Sequence, residues 1–114
     1  MMNKQSIYLV LYMLAMILIS SIPGNSIPNQ ISIVPDKVIH FIEYSIFGYL
    51  STFLLYKKYN YSIFKIIIFG ISFSLFDEAY QNITPFRDSS LFDVIADIFG
   101  FIFGLSITVY IRKK

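Results

Sequence analysis

The apolar residues of this chain are gathered into four long blocks, and this arrangement constrains the possible folds more than any other feature. Each block approaches the ~20 residues that a helix needs to cross the hydrocarbon core of a membrane. The blocks span residues 6–22, 38–56, 61–79 and 91–111. Charged residues make up 14% of the 114 positions, compared with about 25% in soluble domains. The sequence therefore predicts an all-α membrane protein, a single-domain bundle of four transmembrane helices over residues 1–114.

Short polar segments separate these blocks. Proline and glycine follow the first block, a pair of lysines follows the second, and a segment containing Pro85 follows the third. Because every backbone group in hydrocarbon must be satisfied within its own segment, each block is predicted to be a helix. A secretory signal peptide is the competing interpretation of the first block, since Lys4 precedes an apolar run of suitable length. No clear small-x-small cleavage site follows that run, so a transmembrane helix is favoured.

Basic residues are divided unequally between the two sides of this arrangement. Seven of the nine lie on the side that holds both ends of the chain, namely Lys4, Lys57, Lys58, Lys65, Arg112, Lys113 and Lys114. All seven acidic residues lie on the other side, together with Lys37 and Arg87. Because lysine and arginine mark the cytoplasmic side of membrane proteins, both termini are predicted to be cytoplasmic. The predicted localisation is multi-pass in the cell membrane.

Polar residues on three of the predicted helices share one face of each helix, near the outer side. At 100° per residue the stripe on the second helix is about 120° wide. The residues on these faces are Asp36, Lys37, His40, Glu43 and Tyr44, then Asp77, Glu78 and Gln81, then Asp93 and Asp97. Carboxylates inside a membrane are costly and usually face the bundle interior, where they pair with other groups. A shared polar pocket is therefore predicted, with Arg87 as its second basic group.

Gly100 and Gly104 continue the polar stripe of the fourth helix as a GxxxG pattern. Small residues at this spacing allow two helix backbones to approach closely. We expect both glycines to pack against another helix, with the second helix as the neighbour.

Simpler interpretations exist for several pocket residues. His40 alone is typical of an interfacial histidine bonded to a carbonyl group. Asp93 lies near a helix start, where the helix dipole favours an acid. Asp77 and Glu78 near a helix end are typical of solvated boundary residues. The convergence of three polar stripes near one leaflet favours the shared pocket.

The spacing of these residues resembles that of VanZ-like membrane proteins. Three motifs carry the resemblance: Asp36-Lys37-x-x-His40-Phe41-x-x-Tyr44, Asp77-Glu78-x-x-Gln81-x-x-x-Pro85-x-Arg87, and Asp93-x-x-x-Asp97-x-x-Gly100-x-x-x-Gly104. One position departs from the family pattern, because Asp97 stands where asparagine is common and adds a negative charge. The resemblance implies a four-helix protein of the bacterial cytoplasmic membrane, of the type first associated with resistance to teicoplanin. It implies no accepted reaction.

Three classes of function remain open. The favoured class is a non-enzymatic envelope protein that binds membrane lipids, a lipid-linked cell-wall precursor or a lipoglycopeptide. In it, Lys37 and Arg87 would contact phosphate, while Tyr44 and Gln81 would orient the headgroup. The second class is an intramembrane enzyme acting on an envelope lipid by acid–base or divalent-metal chemistry, using His40 with Glu43 or the carboxylates. The third is a structural protein whose charges pair internally.

No cofactor is predicted, and no catalytic residue is singled out. The sequence contains no closed metal-ligand motif such as HExxH, so no metal site is predicted either. Nucleic-acid binding is not supported, because the basic residues follow the pattern of membrane topology.

Overall fold

The computed structural model of the chain describes residues 4–20, 36–83 and 91–113, with only the backbone described at positions 20, 36, 57, 58, 112 and 113. Within these ranges the regular structure is entirely helical. The four α-helices are α1 (Lys4–Ser20), α2 (Asp36–Thr52), α3 (Ile63–Asn82) and α4 (Leu91–Lys113). The predicted all-α fold with four helices is confirmed. Helix α3 runs three residues beyond the predicted end at 79, which keeps Gln81 on its polar face.

A π-helical segment, Phe53–Lys58, extends α2 and was not predicted. The chain then reverses through Asn60, whose φ of 58° lies in the left-handed region that asparagine tolerates better than most residues. The hydroxyl of Ser62 accepts a hydrogen bond from the backbone N–H of Lys65 at 3.3 Å and caps the start of α3. Local rules of helix capping thus account for the tight connection between α2 and α3.

Helices α2 and α4 form the closest pair and run parallel. A Cβ added to Gly100 would meet the backbone carbonyl of Phe41, and four residues later one added to Gly104 would meet that of Ser45. From the other side, a Cβ on Gly48 would meet the backbone of Phe101. Glycines on both helices therefore bring the two backbones into contact and set their axial register.

Helix α3 lies antiparallel to this pair. The Tyr44 hydroxyl bonds Asp77, while Phe47, further along α2, packs on Phe73, which lies earlier on α3. The ring of Phe47 lies at the centre of an aromatic core, 4.9 Å from Phe73 and 5.3 Å from Phe101 between centroids. Such tilted and edge-on ring pairs are the favoured geometry of aromatic packing.

Helix α1 packs on the outside of this three-helix unit. Its buried residues are Leu9 and Met16, and the Tyr12 hydroxyl donates to the backbone carbonyl of Glu43 at 2.6 Å. The other faces of α1 are exposed and apolar, with Leu11, Leu14 and Leu18 among the exposed side chains.

Two helical spans are long and apolar enough to cross a membrane by length and composition, namely Lys37–Tyr56 and Leu91–Ile111. Large apolar side chains such as Phe92 and Phe99 are exposed on them, and a contiguous apolar surface of this kind is typical of membrane or partner contact. Helix α1 is apolar but shorter, and α3 carries three charged residues. Two of the four predicted spans thus meet this test, which indicates membrane association.

Candidate functional site

A polar cluster lies at the end of the bundle where α2 and α4 begin and α3 ends. Its members are buried side chains from all three helices: His40, Tyr44, Ser74, Asp77, Glu78, Gln81, Asp93 and Asp97. The helices present these residues because each polar stripe faces the common interface rather than the apolar exterior. Seven of them were predicted as pocket residues, and Ser74 was not. Its signal was its position one turn before Asp77 on the same helical face.

Asp97 joins the three helices at the centre of the polar cluster. Its Oδ1 lies 2.6 Å from Nδ1 of His40 on α2, and its Oδ2 accepts a hydrogen bond from the Ser74 hydroxyl on α3 at 2.8 Å. A carboxylate offers two acceptor oxygens for two such partners, whereas an asparagine amide offers one acceptor and one donor group. Aspartate at position 97 can therefore contact His40 with one oxygen and accept from Ser74 with the other. The partner of His40 Nδ1 is thus a carboxylate group of a neighbouring helix.

A second link between helices runs from Tyr44 to Asp77. The Tyr44 hydroxyl donates to Oδ2 of Asp77 at 3.1 Å, and both side chains are buried. Glu78, the next residue on α3, is only 6% exposed. The interpretation of Asp77 and Glu78 as solvated boundary residues is therefore wrong.

Lys37 and Asp93 form an ion pair at the mouth of the polar cluster. The Lys37 Nζ lies 2.8 Å from Oδ1 of Asp93, with the lysine side chain 52% exposed and the aspartate side chain 1% exposed. Asp93 also lies in the first turn of α4, where the helix dipole stabilises a negative charge. The charge of the buried carboxylate is thus offset by Lys37 and by the helix dipole, and about half of the Lys37 side chain remains exposed.

Glu78 differs from the other acids of the polar cluster. Both of its carboxylate oxygens are buried and have no hydrogen-bond partner among the residues that the structure describes. One potential ligand atom from each of His40, Glu78 and Asp97 lies within 4.8 Å of the other two. These residues come from three helices, so no local sequence motif could have indicated that they are able to hold a metal ion.

The remaining predicted pocket residues lie away from the centre of the polar cluster or outside the part of the chain that the structure describes. Glu43 is half-buried on α2, and its backbone carbonyl accepts the Tyr12 hydroxyl of α1. Asp36 begins α2, but its side chain lies outside the described part of the chain, as does all of Arg87. The predicted approach of Arg87 to the acids stays a prediction.

Comparison with known families agrees with this arrangement of motifs. A family model described as VanZ/LLP1 matches residues 5–112. The chain belongs to the VanZ/LLP1 family. The match covers nearly all of the chain and confirms the resemblance carried by the three motifs. No curated protein and no solved structure matches the chain.

In this VanZ/LLP1 family member, an apolar groove of about 580 Å³ adjoins the polar cluster between α2 and α4. Its lining residues are Lys37, Val38, Phe41, Phe92, Ile95, Ala96 and Phe99. Lys37 therefore contributes to both features, since its ammonium group binds Asp93 while its side chain borders the groove. A cation at the head of an apolar groove is chemically suited to an amphiphile with an anionic headgroup.

Proposed function

We propose that this VanZ/LLP1 protein binds the anionic headgroup of an envelope lipid, or of a lipid-linked cell-wall precursor, beside its polar cluster. The observation that carries the proposal is Lys37, whose half-exposed side chain stands at the head of the apolar groove. The headgroup phosphate binds the ammonium group, and an acyl or prenyl chain lies along the groove between α2 and α4.

The chemistry of Lys37 supports this assignment. An ammonium group has three donors, so Lys37 can bind a phosphate oxygen beside an existing contact or in exchange for one. Charge-assisted hydrogen bonds of this kind are among the stronger polar contacts. The groove volume of about 580 Å³ falls within the range of ~300–1,000 Å³ that is usual for small-molecule sites. Its aromatic and aliphatic lining suits a hydrocarbon chain.

A four-span topology with cytoplasmic termini is part of the proposal. Because α2 and α4 run parallel, the helix between them returns across the same thickness. Helix α3 has 20 residues, equivalent to about 30 Å at 1.5 Å per residue. That length suits the hydrocarbon core of a bilayer. The excess of basic residues at the opposite end of the bundle supports an outer-leaflet position for Lys37 and the polar cluster.

Binding at this position would change how lipophilic glycopeptides of the teicoplanin type reach a lipid-linked target. The family resemblance motivates this part of the proposal. Expression of the chain in a susceptible bacterium should raise the inhibitory concentration of teicoplanin, and expression of Lys37→Gln should not. An equal increase with both proteins would contradict the role of Lys37.

Lipid binding can be measured with the full chain in nanodiscs of phosphatidylcholine doped with phosphatidylglycerol, followed by native mass spectrometry. We expect Lys37→Gln to reduce the retained phosphatidylglycerol about fivefold to tenfold, since one such charge contact is worth about 1–1.5 kcal/mol. Lys65→Gln is the matched control, because Lys65 lies at the opposite end of α3 from the polar cluster. Equal retention by the two variants would overturn the proposal.

A second candidate is an intramembrane enzyme acting on the bound lipid. The pair of His40 and Asp97 favours it, because a buried imidazole bonded to a carboxylate is a common acid–base arrangement. The same mass spectra distinguish the two functions when a lipid-linked wall precursor is supplied. Binding alone leaves the mass of the recovered lipid unchanged, whereas an enzyme yields a product of different mass that His40→Gln abolishes.

A further inference from the structure

We propose that His40, Glu78 and Asp97 bind a divalent transition-metal ion, Zn²⁺ or Mn²⁺, between helices α2, α3 and α4. This inference is independent of lipid binding at Lys37, because it concerns the interior of the polar cluster rather than its mouth. It rests on the mutual distances of the three side chains, on the burial of Glu78 and on the chemistry of the donor atoms.

The three side chains are already close to a ligating arrangement. Their potential ligand atoms lie within 4.8 Å of one another. Atoms bound to one Zn²⁺ at about 2.0–2.1 Å lie about 3–3.5 Å apart in tetrahedral geometry. The separations therefore have to change by no more than about 2 Å. For Nδ1 of His40 and Oδ1 of Asp97, now 2.6 Å apart, the change is a small increase, and the metal takes the place of their hydrogen bond.

Glu78 provides the independent indication of a ligand. Its carboxylate is buried and has no hydrogen-bond partner among the described residues. With His40 and Asp97 it forms a triangle of potential ligand atoms, each within 4.8 Å of the other two. An ionised carboxylate in such a place is strongly unfavourable unless it takes up a proton, is paired or coordinates a metal. A bound cation satisfies both oxygens of Glu78.

The donor set indicates the class of ion. One imidazole nitrogen and two carboxylate oxygens suit Zn²⁺ or Mn²⁺ better than Ca²⁺ or Mg²⁺, which prefer oxygen ligands alone. Three protein ligands leave at least one coordination position for water. The Ser74 hydroxyl, which donates to the other oxygen of Asp97, orients that carboxylate in the way that outer groups support metal ligands.

Metal binding is tested with the full chain in mild detergent, purified with a histidine-free tag and stripped with EDTA. Equilibrium dialysis against Zn²⁺ with elemental analysis should give one ion per chain. Glu78→Gln should weaken binding at least about 100-fold, since even outer-shell changes cost about 10–100-fold in metal affinity. Lys65→Gln lies at the opposite end of the same helix as Glu78 and should stay within about threefold of the unaltered chain.

A spectroscopic measurement on the unaltered chain keeps the test decisive even if Glu78→Gln does not fold. The chain contains one histidine, so nitrogen coupling in the pulsed EPR spectrum of bound Mn²⁺ identifies His40 as a ligand. Bound Mn²⁺ without imidazole coupling would overturn the proposal, as would equal Zn²⁺ affinity in both glutamine variants.

A pairing of Glu78 with Arg87 is the competing way to satisfy the buried carboxylate. In that case the unaltered chain binds neither Zn²⁺ nor Mn²⁺, and a double-mutant cycle of Arg87→Gln with Glu78→Gln shows coupling of their stabilities. That combination of results also overturns the metal site.

Discussion

At the scale of single residues, Asp97 links three helices within the polar cluster. It bonds His40 of α2 and Ser74 of α3 from its own position on α4, and it is fully buried. Interhelical hydrogen bonds in membrane proteins are worth about 0.6–2 kcal/mol each, and their removal also leaves buried partners unsatisfied. Hydrogen bonds from this one residue thus connect α4 to both α2 and α3.

Replacement of Asp97 should show this role directly. Asp97→Ala removes the carboxylate oxygens that His40 and Ser74 contact, and it should lower the free energy of unfolding by about 2–3 kcal/mol. Asp97→Asn keeps the shape and one acceptor, so its cost should be about 1 kcal/mol. Denaturation of both variants in detergent, followed by circular dichroism, measures the difference. An alanine variant as stable as the asparagine variant would show that the two hydrogen bonds contribute little.

At the scale of helices, the close approach of α2 and α4 determines which polar atoms meet. The contacts of Gly100 with Phe41 and of Gly104 with Ser45 set the axial register of the pair. That register brings Asp97 to His40 and Asp93 to Lys37.

Bulk introduced at this contact should separate the helices. Gly100→Leu should lower the free energy of unfolding by about 3 kcal/mol or more, because its Cβ would meet backbone that cannot rotate away. Ser106→Leu adds similar bulk on an exposed face of α4 and should be tolerated within about 0.5 kcal/mol. Thermal unfolding in detergent compares them. Similar melting temperatures would place Gly100 outside the helix contact.

The helices and their polar faces were predictable because they depend on local patterns. Apolar blocks and residues spaced three or four apart identify helical faces without knowledge of the neighbours. The partners of individual atoms were not predictable in this way, since the contact of Ser74 with Asp97 depends on helix rotation and register. The π-helical segment Phe53–Lys58 was also missed, because no residue pattern in it distinguishes a π-helical turn from a continued α-helix.

At the scale of the whole molecule, the distribution of basic residues predicts which loops face outward. The chain contains no cysteine, so single cysteines can report exposure without background. Cysteines at positions 29 and 89 should react with an impermeant thiol reagent on intact cells, whereas one in place of Asn60 should react only after lysis. Labelling at position 60 with protection at the other two would reverse the topology.

The parallel arrangement of α2 and α4 has a consequence for biosynthesis. A ribosome makes α2 and α3 first, so His40 and Ser74 are made before Asp97 of α4, the residue that both of them contact. Until α4 packs, these two side chains do not have Asp97 beside them, and polar groups in apolar surroundings are costly without their hydrogen bonds. We therefore expect the polar contacts of α2 and α3 to reach their final arrangement only when α4 joins them. For the same reason we expect a chain truncated before residue 91 to be degraded faster in cells than the full chain.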